Sequence, residues 1–78
     1  MNKKVKVYEV ILHPNPEKFD YVRFMPNISS HVLLNEDVYI NINNRGQIPI
    51  VLNGRDIIAR KPVDLEYNSR KHQFEVII

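Results

Sequence analysis

The chain has 78 residues, no cysteine and a formal net charge of +2, from 11 basic and 9 acidic side chains. This length suits one domain spanning residues 1–78, and the lack of cysteine excludes disulfides, thiolate zinc sites and catalytic thiols. Ile and Val number 19 against 6 for Leu and Ala, which favours strands over helices. We expect a mostly β fold, a small antiparallel, meander-rich barrel or sandwich of SH3-like or OB-like size.

The first predicted element is a strand over residues 4–13. Its apolar side chains fall on both faces, which is typical of a strand that is central or covered on both sides. The lysines near Met1 alternate with valine and do not precede an apolar run, so no secretory signal is predicted. No stretch approaches the ~20 apolar residues of a membrane helix. We expect a cytoplasmic location and no membrane partner.

Residues 14–35 allow two interpretations. Asn15 as a cap, Pro16 at the first helical position and Glu17 in the first turn predict one short helix within residues 16–25. The alternative is a strand through residues 21–25. The helix is favoured because its start signals are specific. Residues 27–31 predict a loop, and residues 32–34 predict a short strand or bulge.

Residues 37–60 predict a three-stranded antiparallel meander. Apolar residues alternate at positions 38, 40 and 42 and again at 48, 50 and 52. A three-residue loop over 44–46, ending on Gly46, would pair Ile40 with Ile50. The following Asn53-Gly54 is a strong two-residue hairpin signal and would bring residues 55–60 alongside as the third strand.

A last hairpin is predicted from residues 63–67 and 73–78, joined by a turn over 68–71. Its register pairs Leu65 with Phe74 and places Asp64 opposite Glu75. Facing carboxylates are unfavourable unless a neighbouring cation or donor intervenes. We interpret this pair as part of a solvated face and not as a catalytic pair.

The sequence predicts no enzyme, metal or cofactor. His13, His31 and His72 stand apart from one another, and a zinc site needs about four convergent ligands. Ser30 and His31 are adjacent, so their side chains diverge on an extended chain. Both glycines belong to predicted hairpin turns, which leaves no phosphate-binding loop.

Four apolar residues fall on the face that should meet solvent: Tyr39, Pro49, Val51 and Ile58. Pro49 has no N–H and is disfavoured in a middle strand, so this strand is either bulged or open at one edge. Either residues 14–35 cover the patch, or it contacts another protein or a second copy of the chain. The sequence thus predicts a non-enzymatic, self-associating binding module, such as a phage or mobile-element accessory protein that inhibits or modifies a larger machine.

The alternative function is nucleic-acid binding through basic hairpin tips. The predicted meander groups Arg45, Arg60 and Lys61 at one end of the sheet, and Arg55, Arg70 and Lys71 at the other. Clustered cations beside a small barrel can track phosphates. Charges at loop tips also keep small proteins soluble, so both interpretations remain open at this point.

Overall fold

Six strands form a single sheet that curls into a half-barrel. The computed structural model describes residues 4–34 and 36–78. The elements in chain order are β1 (Val5–Val10), β2 (Tyr21–Phe24), the 3₁₀ helix η1 (Val32–Leu34), β3 (Asp37–Ile42), β4 (Gln47–Val51), β5 (Val63–Asn68) and β6 (Gln73–Val76). The prediction of a small, mostly β fold is confirmed.

The strand order is β1-β3-β4-β6-β5-β2, so β1 and β2 are the two edges of the sheet. The β1–β3 and β4–β6 pairs are parallel, whereas the other three pairs are antiparallel. The expectation that the first strand is central or covered on both sides is wrong, because β1 has one neighbour and Val5 is 62% exposed. β1 has an apolar residue on its inner face because the side chain of Tyr8 is buried there in the core.

The predicted helix within residues 16–25 does not form, and its rival strand does, as β2. Val22 and Phe24 are buried, whereas Tyr21 and Arg23 are exposed, which is the period-two pattern of a strand. Pairing with β5 buries this apolar face, and that gain outweighs the local helix-start signals. Residues 32–34 form a 3₁₀ turn instead of the predicted strand or bulge.

The β3–β4 hairpin forms, but its register differs by two residues from the prediction. Ile40 lies opposite Ile48 and not Ile50. The turn begins earlier than predicted, because Asn43 (φ 51°) and Asn44 (φ 59°) both adopt left-handed backbone. The N–H of Arg45 donates to the Ile42 carbonyl at 3.1 Å, which closes a type I′ turn. A shift of two residues keeps every side chain on its predicted face.

The third strand of the predicted meander is wrong. The Asn53-Gly54 turn forms as predicted, with a 3.0 Å bond from the Arg55 N–H to the Leu52 carbonyl. Residues 55–60 then leave the sheet and make an isolated bridge between Ile57 and Ser30. The position beside β4 belongs to β6, which buries two apolar side chains there, whereas residues 55–60 bury one.

The β5–β6 hairpin is also shifted by two residues. Leu65 faces Val76, and Glu66 instead of Asp64 faces Glu75. The side chain of Asn68 accepts hydrogen bonds from the N–H groups of two turn residues, which moves the turn towards residue 72.

The core fills the concave side of the sheet. Its buried apolar residues are Tyr8, Val22, Phe24, Val38, Ile40, Ile42, Ile50, Ile57, Val63, Leu65, Phe74 and Val76. The chain packs one face of every strand inwards, so the opposite face of the sheet remains available for contacts. Within residues 4–34 and 36–78 we find no helix with the length and apolar character that a membrane crossing requires.

Candidate functional site

Three of the four predicted contact residues lie together on the outer, convex face of the sheet. Tyr39 of β3 is the register partner of Pro49 on β4 and of Val7 on β1. Val51 lies two residues beyond Pro49 on the same face of β4. Pro49 is exposed and the other three are half-buried. We call Val7, Tyr39, Pro49 and Val51 the outer apolar cluster.

Ile58 does not belong to this cluster. It follows the Ser30–Ile57 bridge, outside the sheet, and its side chain is 38% exposed. Sequence reasoning placed it beside Pro49 because it assumed that residues 55–60 pair with β4.

Residues 14–35 are the predicted cover for this patch, and the contacts of residues 28–32 within it lie elsewhere. The Ile28 carbonyl and Ser30 Oγ bind the hydroxyl of Tyr8, whose side chain lies on the inner face. The N–H of Val32 binds Asp56, near the Ile57 bridge. These contacts place residues 28–32 on the inner side of the sheet and away from the outer apolar cluster.

The outer face carries mainly negative charge. The strand registers place five carboxylates on it: Glu9, Asp37, Asp64, Glu66 and Glu75. Arg23 is the one basic side chain among the described strand residues of this face, and it is held by Asp64 through bonds of 2.6 and 3.0 Å. The chain is cationic as a whole, so its charge is divided between an acidic face and basic ends.

Glu66 and Glu75 face each other across β5 and β6. The Glu75 carboxylate accepts hydrogen bonds from Gln73 Nε2 (2.9 Å) and Asn68 Nδ2 (3.1 Å), which lower its pKa from the usual 4.5. The hydroxyl of Tyr21 forms a hydrogen bond with Glu66, and this bond raises the pKa of Tyr21. A general acid needs a raised carboxyl pKa, so the environment of Glu75 suits a charged surface and not acid catalysis.

The six predicted phosphate-binding cations are divided between the ends differently from the prediction. Because β4 and β6 run parallel, the turns that precede them share one end of the sheet. That end carries Arg45, Arg70 and Lys71. The opposite end carries Arg55, after the Asn53-Gly54 turn, together with Arg60 and Lys61 before β5.

Arg45 is already engaged within the chain. Its Nη2 donates to Asn15 Oδ1 at 2.7 Å and to the Pro16 carbonyl, and its guanidinium lies 5.2 Å from the ring centre of Phe19. These contacts hold the loop before β2 against the β3–β4 turn. They give Arg45 a structural role that the sequence spacing did not indicate.

The histidines remain separate. His31 contacts Asp56 at 3.3 Å, and His72 lies 3.4 Å from the Tyr67 hydroxyl. Ser30 is buried against Tyr8 while His31 is exposed, so the two side chains diverge as predicted. The part of the chain that the structure describes has no group of three or more carboxylate or histidine side chains placed to hold a metal ion.

Sequence reasoning missed a groove beside β1. Residues 7–10 line one side of it and residues 24–28 line the other, and its volume is about 250 Å³. Tyr8 and Phe24, whose rings lie 5.3 Å apart, belong to both the lining and the core. We call it the β1 groove. Its existence depends on β1 and β2 being edge strands that approach each other, which local patterns do not reveal.

Comparison with models of protein families, with curated proteins and with solved structures finds no match for this chain. The features of this chain that bear on its function are therefore the outer face, the free edges and the distribution of charge.

Proposed function

We propose that the protein is a non-enzymatic binding module that acts by protein–protein contact through the outer apolar cluster. The observation that supports this is the adjacency of Val7, Tyr39 and Pro49 on three neighbouring strands, with Val51 beside them. A contiguous apolar patch that reaches solvent is typical of an interaction site on a small domain, whereas single exposed apolar residues are not. In this cluster Pro49 is exposed and the other three residues are half-buried. Tyrosine is also among the residues that contribute most at protein interfaces.

Self-association is the mode we propose first. Two copies meeting face to face would bury the cluster at the centre and leave the surrounding carboxylates at a solvated rim. Like charges at that rim oppose association, and salt screens them. A self-associating chain should therefore associate more strongly as salt is added, whereas a basic partner protein should bind more weakly.

Sedimentation velocity over a wide dilution series tests this proposal. We expect Val51→Lys to abolish association, since it places a desolvated cation in the cluster. Leu33→Lys is the matched control, because Leu33 is 92% exposed on η1, away from this face. The proposal would be contradicted if the wild-type chain stays monomeric and also captures the same proteins from a host extract as Val51→Lys captures.

A nucleic acid is the second candidate partner, and the end with Arg55, Arg60 and Lys61 favours it. All three side chains are exposed and belong to the same end of the sheet. Fluorescence anisotropy with random oligonucleotides at two salt concentrations tests this alternative. Binding that is insensitive to replacing all three by glutamine would exclude it.

The proposed location is the cytoplasm. Its support is the absence of cysteine from the sequence, because a fold without disulfides is compatible with a reducing compartment.

A further inference from the structure

The two free edges of the sheet border the β1 groove. β1 pairs with β3 alone and β2 pairs with β5 alone. The carbonyls of Lys4 and Val10 accept hydrogen bonds of 2.9 Å from the β3 side. Backbone groups alternate in direction along a strand, so the N–H and C=O groups of the odd residues, Val5, Val7 and Glu9, point away from β3. They form a row of donors and acceptors not used by β3, of which Val7 and Glu9 line the groove and Val5 lies just outside its lining.

Four of the five residues of the opposite wall are apolar, and the fifth is Asn27. Met25 is 61% exposed and Ile28 is 45% exposed, and Pro26 lies between them in the chain. The groove floor is formed by Tyr8 and Phe24. An occupant of this groove would thus find hydrogen-bonding groups on the β1 side and apolar side chains on the other.

The unpaired backbone row of β1 favours an extended chain as the occupant, because an extended chain can pair with it as a strand. The volume of the groove, about 250 Å³, lies below the roughly 300–1,000 Å³ of pockets that enclose small ligands. A second copy of the folded sheet would have to approach β1 past residues 24–28, whereas a single extended chain needs space for one strand. Glu9 is the one charged residue among the described residues that line the groove, and it is exposed.

We propose that the β1 groove binds an extended peptide segment of a partner protein, which adds to the free edge of β1 as a seventh strand. Main-chain hydrogen bonds to Val5, Val7 and Glu9 would supply affinity. The peptide would carry apolar side chains at alternate positions and a lysine or arginine beside Glu9. This site shares two residues with the outer face described above. Val7 contributes its backbone to the groove and its side chain to the outer apolar cluster, and Glu9 belongs both to the groove lining and to the outer-face carboxylates.

The probe is a short fluorescein-labelled peptide in which valine alternates with threonine and which ends in lysine. Two N-methylated versions carry the methyl groups on alternate residues, so one loses the donors that face β1 and the other loses those that face outwards. We expect one version to bind about tenfold more weakly than the parent, as loss of a buried hydrogen bond predicts, and the other to match it. Equal binding of both versions, or no binding by the parent, would overturn the proposal.

Variants of the chain locate the site. Val7→Pro removes an N–H that faces the groove and leaves the bonds to β3 intact, a position where edge strands tolerate proline. Tyr21→Pro makes the same change on β2, at its first residue and outside the groove lining. We expect Val7→Pro to lose at least about tenfold in affinity and Tyr21→Pro to bind as wild type. If Val7→Pro binds as tightly as wild type, the proposal fails.

Glu9→Lys provides a readout that does not depend on a proline in the strand. Glu9 is exposed, so this variant should fold, and it should weaken binding of the lysine-ended peptide but not of a peptide ended in glutamate. Amide resonances of Val5, Val7 and Glu9 should shift on adding the parent peptide. Shifts of these resonances with protein concentration alone in Val51→Lys, which should not associate through the outer apolar cluster, would assign the edge to a second copy and overturn the peptide proposal.

Discussion

The hydroxyl oxygen of Tyr8 lies 2.6 Å from Oγ of Ser30, and both residues are buried. Tyr8 also donates its proton to the Ile28 carbonyl at 2.9 Å, so the Ser30 hydroxyl must be the donor to Tyr8. Burial is the main reason that the pKa of Tyr8 lies above its usual value of 10.0. The pair attaches residues 28–30 to the edge strand β1.

Tyr8→Phe should destabilise the fold more than Ser30→Ala. The first change leaves the buried Ser30 hydroxyl and the partly buried Ile28 carbonyl without this partner, at a cost of about 1–3 kcal/mol. The second leaves the Tyr8 hydroxyl bound to Ile28 and should cost about 0.5–1.5 kcal/mol. Urea unfolding measures both, with the exposed Tyr21→Phe as control. The reverse order would contradict the assigned direction of the Ser30 bond.

The Arg23–Asp64 pair should make stability depend on acidity. The hydrogen bond from Arg23 lowers the pKa of Asp64 from the usual 3.8. The pair therefore stabilises the fold at pH values above 3.8, and this stabilisation is lost as the pH falls through the lower pKa of the folded state. Arg23→Gln should therefore lose less stability than wild type between neutral and strongly acidic pH. The effect should be small, because the pair is near the surface.

The midpoints of urea unfolding, measured at a series of decreasing pH values, test this dependence. Arg55→Gln, which changes another exposed arginine, should follow the wild-type profile. Parallel profiles for wild type and Arg23→Gln would rule out the pair as a source of acid sensitivity.

Deleting residues 75–78 should abolish cooperative unfolding. β6 lies between β4 and β5, so its loss would remove ladder contacts on both sides and the buried Val76. Deleting Ile78 alone should have little effect, because its side chain is 72% exposed. Thermal melts followed by circular dichroism distinguish the two, and an unchanged melting temperature in the longer deletion would refute the central position of β6.

Asn43 should contribute more to the stability of the fold than its position in a turn suggests. Its amide accepts from the Leu12 N–H at 2.7 Å and donates to the Leu12 carbonyl at 3.1 Å, so it extends the β1–β3 pairing beyond the strands. Asn43→Ala should cost about 1–3 kcal/mol, since it loses both bonds and strains a left-handed residue. Asn43→Gly should cost less, because it loses the bonds without the strain.

Asn44→Gly provides the control, because Asn44 is also left-handed but exposed. We expect its free energy of unfolding to stay close to wild type. Equal losses for Asn43→Gly and Asn43→Ala would show that backbone strain at this position contributes little.

Side-chain direction could be predicted from the sequence, whereas strand partners could not. The alternation of Val38, Ile40 and Ile42 identified the core face, and a two-residue shift leaves that pattern unchanged. For the same reason, alternation alone cannot distinguish Ile48 from Ile50 as the partner of Ile40. The register was decided by the left-handed Asn43 and Asn44, whose turn began before the glycine.

The candidate site was predictable to the same extent. Tyr39, Pro49 and Val51 were placed together because their grouping depends on one local hairpin. Ile58 was misplaced because its position depends on which strand occupies the far side of β4. The β1 groove was missed since it lies between strands that are distant in sequence and do not pair.

The parallel pairings have a consequence for how fast the chain folds. Val5 must come beside Asp37, and Ile50 beside Phe74, before either pair of parallel strands can form its hydrogen bonds. Closing such long loops costs entropy before any contact repays it, and folding rates fall as contacts become less local. We therefore expect slower folding than in a hairpin meander of equal length, with the β3–β4 turn as the earliest structure.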